Sequence, residues 1–198
     1  MRVGVLALQG DVPEHRRALE RVLPARSVCA VARPKDLDPV DAVVLPGGES
    51  TTIGALLEKT GLWKALSERI HDGLPVLATC AGLILLSREL EPSPSGQDPP
   101  TFGALDVRVR RNDYGSQSES FEGDVKVAGV AGRAFPGVFI RAPRITRIGK
   151  SVKAIAHRGE EVVGVRRGPL VGLTFHPELS EDPRLHAWFL RSVVERAR

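Results

Sequence analysis

Pro75-Val-Leu-Ala-Thr-Cys-Ala-Gly-Leu-Ile-Leu-Leu86 decides how this chain is read. It opens as a short apolar run after Gly73 and Pro75, the pattern of a buried strand. It closes as a run that can continue as a helix through Leu90. Between them lie Thr79, Cys80, Ala81 and Gly82. A cysteine at a strand-to-helix turn, with glycine two residues later, has the form of a nucleophile elbow. The tight turn needs small neighbours, and Ala78, Ala81 and Gly82 supply them. The sulfur would project beside a helix N-terminus, whose partial positive charge favours the reactive thiolate. The alternative is a buried structural cysteine, a common fate for this residue in an apolar run.

Upstream, strands and helices alternate. Val3–Leu8 is nearly all apolar, as expected for a strand covered on both faces. Asp11 and Glu14 have the spacing of a capping box, and Val12, His15, Leu19 and Val22 follow at helical spacing. Ser27–Ala32 and Ala42–Leu45 read as the next strands. The second of these runs into Pro46-Gly-Gly-Glu-Ser-Thr-Thr52, with Ser50 or Thr51 as the helix cap. Ile53, Leu56 and Leu57 start a helix that Gly61 interrupts and that Trp63, Leu66 and Ile70 carry on. Val76–Thr79 is the strand before the cysteine. This alternation predicts an α/β fold of three layers, a mostly parallel central sheet with helices on both faces. Ligands of such sheets bind beyond the carboxyl ends of the strands. Gln9–Asp11, Gly47–Thr52 and Thr79–Gly82 all fall there.

Residues 91–100 are rich in Pro, Ser and Gly and form a surface loop. Strands are expected at 106–109, 124–128, 138–141, 152–157, 162–166 and 170–175. Asp182-Pro183 then starts a last helix, with Leu185, Trp188, Phe189 and Val193 on its buried stripe. With 198 residues and 42% hydrophobic content, one domain over 1–198 with a full core is expected. Two cysteines, Cys29 and Cys80, give no disulfide framework and fit a reducing, cytoplasmic setting. The apolar part of Met1–Leu8 is short for a signal core and no small-residue cleavage site follows. No apolar stretch is long enough to span a bilayer. The net charge of +4 is spread among 24 acidic residues without aromatic-basic clustering, which argues against nucleic acid.

A thiol nucleophile needs a base, and the base an orienting group. Of five histidines, His15, His71 and His186 lie in helical patterns that suit a solvated or packed role. His157 has Arg158 beside it and no acid within two residues. His176 ends an apolar strand at the same sheet edge as Cys80, with Pro177 fixing the backbone and Glu178 two residues on. That carboxylate can hold one ring nitrogen while the other faces the sulfur. Donors for an oxyanion are expected from the amides of Ala81, Gly47 and Gly48, glycine permitting close backbone approach. A plain strand-to-helix turn at Pro46-Gly47-Gly48 is compatible with that role. No His, Cys and acid cluster has metal-ligand spacing.

Leu45–Thr52, Thr79–Ile84 and Phe175–Leu179 resemble the class I glutamine amidotransferases with a Cys-His-Glu triad. Leu8–Asp11, the Gly-Glu-Ser-Thr-Thr run, Arg111-Asn112 and Phe139–Pro143 resemble, more narrowly, the glutaminase subunit family of pyridoxal 5′-phosphate synthase. The similarity runs in order along essentially the whole chain. It implies a flavodoxin-like sheet, a triad of Cys80, His176 and Glu178, and a glutamine pocket of Gly48, Glu49, Ser50, Arg111, Ile140 and Arg141. It also implies a synthase subunit as partner, in a hetero-oligomeric complex that takes up the ammonia and switches the glutaminase on. An arginine fork suits the α-carboxylate of glutamine, and Arg111 and Arg141 lack acidic neighbours in sequence. Two departures stand out: Ala78 where the family usually has glycine, and Asp113-Tyr-Gly-Ser116 after Arg-Asn.

The expected chemistry is attack of Cys80 on the side-chain amide of L-glutamine, with His176 moving the proton and Glu178 holding His176. No cofactor is implied. The chain has no Gly-x-x-x-x-Gly-Lys loop and no lysine within the motif loops, so the phosphate product would be made elsewhere. The rivals are a glutaminase serving another synthase, a cysteine hydrolase of the wider elbow-bearing superfamily, and a binding module without catalysis.

Overall fold

The computed structural model describes residues 1–93, 96–111 and 120–195. Asn112 and the 113–116 departure lie outside these residues. In chain order the first half runs β1 (Val3–Leu6), α1 (Val12–Glu20), β2 (Val28–Val31), β3 (Ala42–Leu45), α2 (Ser50–Thr60), α3 (Leu62–His71), β4 (Val76–Thr79) and α4 (Ala81–Leu86). The second runs β5 (Ser87–Leu90), β6 (Leu105–Arg110), β7 (Phe121–Val127), β8 (Phe135–Phe139), β9 (Arg144–Ile148), β10 (Lys153–Arg158), β11 (Glu161–Arg167), β12 (Leu170–Leu173) and α5 (Arg184–Phe189). A π-helical turn, Leu190–Val194, continues α5.

The main sheet has the order β2-β1-β3-β4-β12-β11-β10-β7-β8. Its first five strands are parallel, as the alternation predicts. The remaining four are antiparallel and extend the same sheet. A small sheet, β5-β6-β9, stands apart from it. Every residue of β1, β3, β4 and β12 is buried, because helices cover both faces. On one face Val43, Leu45 and Ala78 pack with Ile53, Leu57, Leu66 and Leu83 of α2, α3 and α4. On the other, Val3, Val5, Val44 and Leu77 pack with Leu19, Leu185, Trp188 and Phe189 of α1 and α5. The alternation of side chains along each strand divides them between these two layers. Burying each leucine stabilises the fold by about 1.5–3 kcal/mol.

Gly61, at φ 74°, separates α2 from α3 at the predicted interruption; this left-handed conformation costs glycine little. The helix expected to run from Ala81 through Leu90 is shorter. It stops at Leu86, where the Ser87 hydroxyl donates to the Ile84 carbonyl (2.7 Å), and residues 87–90 pair with β6 as a strand. β9 was not foreseen either. Asp11 precedes α1 without capping it through its side chain, and Glu14 pairs with Arg17 (2.6 Å), so the expected capping box is absent. The α2 cap is Glu49 in place of Ser50 or Thr51: its carboxylate accepts from the Thr52 N–H at 2.8 Å. Among the described residues no helix is long and apolar enough to cross a membrane.

Candidate active site

The parallel strands deliver their loops to one edge. β4 ends at Thr79, and Cys80 follows at φ 47°, ψ −104°, one of two non-glycine residues with positive φ among those described. A side chain held there is strained by about 1–3 kcal/mol and needs its surroundings to enforce it. They do so by contact. The Cys80 N–H donates to the Leu173 carbonyl of β12 (2.9 Å), and a Cβ on Gly82 would run into the Leu45 carbonyl oxygen. The predicted elbow is therefore present, with α4 pressed onto the end of β3. Ala78, the departure before it, is fully buried between Gly172 and Leu45. The Cys80 thiol is directed at the Ile140 carbonyl, 3.9 Å away.

His176 lies three residues past β12, and its backbone N–H donates to Val138 of β8 (2.8 Å). Its Nδ1–H donates to Glu178 Oε1 at 2.8 Å, the predicted orienting contact. Its Nε2 has no hydrogen-bond partner among the described residues. Asp11 Oδ2 also approaches Nδ1, at 3.1 Å, which sequence spacing did not reveal. Burial would push the His176 imidazole down, but Asp11, the Cys80 thiol and Glu178 outweigh it and hold the group well above its ordinary value. Burial would push Glu178 up, but His15 and His176 hold it well below the usual carboxylate range. Asp11, His176 and Glu178 bring atoms within 4.8 Å of one another, a cluster invisible in sequence in which both carboxylates face the protonated Nδ1 of the ring.

Behind Glu178 sit two histidines that the sequence reading placed as solvated or packed. His15 of α1 and His186 of α5 are fully buried. His15 Nε2 lies 3.0 Å from Thr79 Oγ1 and 3.3 Å from Glu178 Oε2; its Nδ1 lies 3.2 Å from His186 Nε2. His186 is pushed down to about 3 by burial and by His15. One signal was available: His15 falls on the apolar stripe of Val12, Leu19 and Val22.

In front of Cys80 lies a cavity of about 140 Å³. Cys80 and His176 line it with all six predicted glutamine residues, Gly48, Glu49, Ser50, Arg111, Ile140 and Arg141; Asp11 and Ile84 complete it. The antiparallel half of the sheet explains part of this set, since Ile140 and Arg141 follow β8 directly. Arg111 is not as free as its sequence neighbours suggest. It donates to Thr51 Oγ1 (3.2 Å) and lies 3.4 Å from Asp98 and 3.6 Å from Glu49. Arg141 is exposed, at φ 43°, and makes no ion pair among the described residues. Of the predicted oxyanion donors, Gly48 lines the cavity, while Gly47 and Ala81 do not. Gly47 packs so closely on the His176 ring that a Cβ would collide with Cε1. Its carbonyl accepts from the Asp11 N–H (3.1 Å), so the Gly48 N–H on the same planar peptide turns away from the 9–11 loop.

A strained cysteine, a histidine–carboxylate pair and a glycine loop around one cavity are the parts of a thiol-dependent amidotransferase. A solved structure described as "Crystal structure of glutamine amidotransferase" superposes with a TM-score of 0.88 at 42% identity, covering 98% of this chain and 100% of that one. The SNO glutamine amidotransferase family matches residues 5–195, and the chain belongs to that family. Among its curated relatives is the "Pyridoxal 5'-phosphate synthase subunit PdxT" of Thermococcus onnurineus (strain NA1), 48% identical over 199 residues, 98% of this chain and 100% of that protein. The protein of the same name from Dictyoglomus turgidum (strain DSM 6724 / Z-1310) is 46% identical over 195 residues, again covering 98% and 100%. A more distant structure, "Structure of PurLQS from Thermotoga maritima", shares the fold, with a TM-score of 0.66 at 16% identity over 96% of this chain and 98% of that one.

Proposed function

We propose that the whole chain is one glutaminase domain, hydrolysing L-glutamine to L-glutamate and supplying the ammonia to the synthase subunit of a pyridoxal 5′-phosphate synthase. The single observation that carries the reading is the cavity in which Cys80 and His176 meet Gly48, Glu49, Ser50, Arg111, Ile140 and Arg141. The names of the full-length relatives support the partner.

Cys80 is the nucleophile. His176 takes the thiol proton of Cys80 and later gives it to departing ammonia. Sulfur attacks the side-chain amide carbon, the C–N bond breaks, and a thioester remains. Water, deprotonated by His176, then cleaves the thioester to glutamate and restores the thiol. Glu178 keeps the His176 ring in the orientation that leaves Nε2 for the sulfur and the substrate. The Gly48 amide, which lines the cavity, is the oxyanion donor after a turn of the Gly47-Gly48 peptide. Arg111 and Arg141 take the α-carboxylate, and Glu49 and Ser50 position the rest of the amino acid.

The test is Cys80→Ala, with ammonia release measured beside circular dichroism. Activity is expected to fall about 10⁴-fold or more with an unchanged spectrum. A mutant within tenfold of the wild type would remove Cys80 from the reaction.

A further inference from the structure

The Cys-His-Glu triad ends, as a triad, at Glu178, but the line of buried polar groups behind it does not. Glu178 is fully buried, with Oε1 on His176, while Oε2 makes no hydrogen bond among the described residues. A buried carboxylate with one bare oxygen is costly unless positive charge or a donor faces it. His15 Nε2 faces it at 3.3 Å, shared with Thr79 Oγ1 at 3.0 Å. Behind His15 comes His186, its ring inclined at 66° with centroids 5.5 Å apart.

The unpaired atoms of this line point to one direction of hydrogen bonding. His186 Nδ1 is buried without a partner among the described residues; a bare lone pair costs less there than a bare N–H, which assigns the ring proton to Nε2. That N–H donates to His15 Nδ1, 3.2 Å away. His15 Nδ1 is thereby the acceptor and His15 Nε2 the donor, aimed at Thr79 and Glu178. Donors thus run from His186 to His15, whose Nε2–H points at Thr79 Oγ1 and faces Glu178 Oε2 at 3.3 Å, while His176 donates to the other oxygen of the same carboxylate.

We infer that His15 and His186 are positioning residues of the glutaminase: His15 keeps the Glu178 carboxylate ionised and oriented toward His176, and His186 fixes the ring of His15. The proposal rests on the glutaminase reading only for its effect on turnover. Neither histidine lines the glutamine cavity, so the effect falls on the chemical step and leaves substrate binding alone. The groups that face Glu178 are His176 on its own turn, His15 on α1 and Asp11 just before α1, with Thr79 at the end of β4 on His15. His186 on α5 stands behind His15, and Cys80 lies across His176.

The sign of the pH effect follows from that set. Glu178 titrates below its usual range, so the ionised triad persists as pH falls until that low value is crossed. Removing the N–H that faces Oε2 leaves burial opposed only by His176, so Glu178 takes up its proton at a higher pH. The decisive variants are His15→Leu, which keeps bulk and removes the donor, and His15→Gln, which restores an N–H. Two pH profiles are read: glutamine turnover, with the synthase subunit present, and alkylation of Cys80 by iodoacetamide. For His15→Leu, kcat is expected to drop about tenfold to a hundredfold with KM unchanged, and the acidic limb of both profiles to rise by about one pH unit or more. His15→Gln is expected to restore most of both.

A His15→Leu enzyme with the wild-type acidic limb and kcat would overturn the proposal, leaving the pair a packing element. Should either variant fail to fold, ¹⁵N NMR of the unmodified chain decides: both rings are expected as Nε2–H tautomers. An Nδ1–H tautomer at either histidine would overturn it. The alkylation profile and the tautomers do not depend on glutamine being the substrate, so a failed glutaminase assay would count against the proposed function alone.

Discussion

Cys80 and Cys29 show what the local backbone does to one kind of side chain. Cys29 sits in β2, paired with Gly4 of β1, with its Sγ donating to the Val3 carbonyl at 3.7 Å. Burial pushes its thiol up, and no charged partner reverses that. Cys80 stands at a strained turn beside the His176 imidazole, and its sulfur opens on a cavity. A glutamine-like chloroketone followed by peptide mapping is therefore expected to label Cys80 in large excess over Cys29. Equal or preferred labelling of Cys29 would contradict this. Both cysteines, His176 and Glu178 could be weighed from sequence because each carries its reason in its immediate neighbours: an elbow, a strand end, a proline, an acid two residues on. Asp11 and His186 carried no such reason. Asp11 looked like a helix cap, and the link between His15 and His186 spans 171 residues of chain, so only the packing of α1 against α5 creates it.

At the scale of elements, the strands that were legible are those buried on both faces. β1, β3, β4 and β12 are continuous apolar runs because helices lie above and below them. β5 and β9 were not legible, for different reasons. Residues 87–90 extend the helical pattern of Leu83–Leu86, and only their pairing with Leu105, Arg108 and Val109 makes them a strand. β9, Arg-Ile-Thr-Arg-Ile, is set by partners far along the chain: its backbone pairs with β6, Ile145 and Ile148 pack on the core, and Arg144 and Arg147 meet Glu161 and Glu89, each at 2.9 Å. Those pairs also show where part of the basic excess goes: Arg108 and Arg110 lie on Glu89 and Glu91 in the same small sheet. The junction of α4 with β3 offers a test of element packing. Gly82→Ala places a methyl group against the Leu45 carbonyl, which a flexible side chain could evade but backbone cannot. The expected loss is about 1–3 kcal/mol, a fall in melting temperature of several degrees by calorimetry, with reduced turnover as the elbow shifts. An unchanged melting temperature would mean that α4 can slide along β3.

At the scale of the whole molecule, the sheet places the glycine loop in the hands of the 9–11 loop. The Asp11 N–H holds the Gly47 carbonyl, and the Glu49 N–H donates to Gln9 Oε1 at 2.8 Å. Gly48 sits at φ 149°, a conformation that only glycine adopts without strain. Gln9 and Asp11 are partly exposed at the strand ends. A synthase subunit docking over these ends would press on the 9–11 loop and, through those two hydrogen bonds, on the Gly47-Gly48 peptide. Turning that peptide would free the Gly47 carbonyl from Asp11 and re-aim the Gly48 N–H toward the oxyanion, at low conformational cost. Asp11, released from the same contact, would also change its hold on His176 Nδ1. There is a chemical reason for such coupling, since ammonia set free without an acceptor is protonated and lost by diffusion. The isolated chain is therefore expected to be a poor glutaminase that its partner activates. The measurement is steady-state glutamate production with and without the synthase subunit, complex formation being verified by gel filtration. Equal turnover in the two conditions, with the complex formed, would make Gly47-Gly48 an inert turn and the enzyme constitutively active.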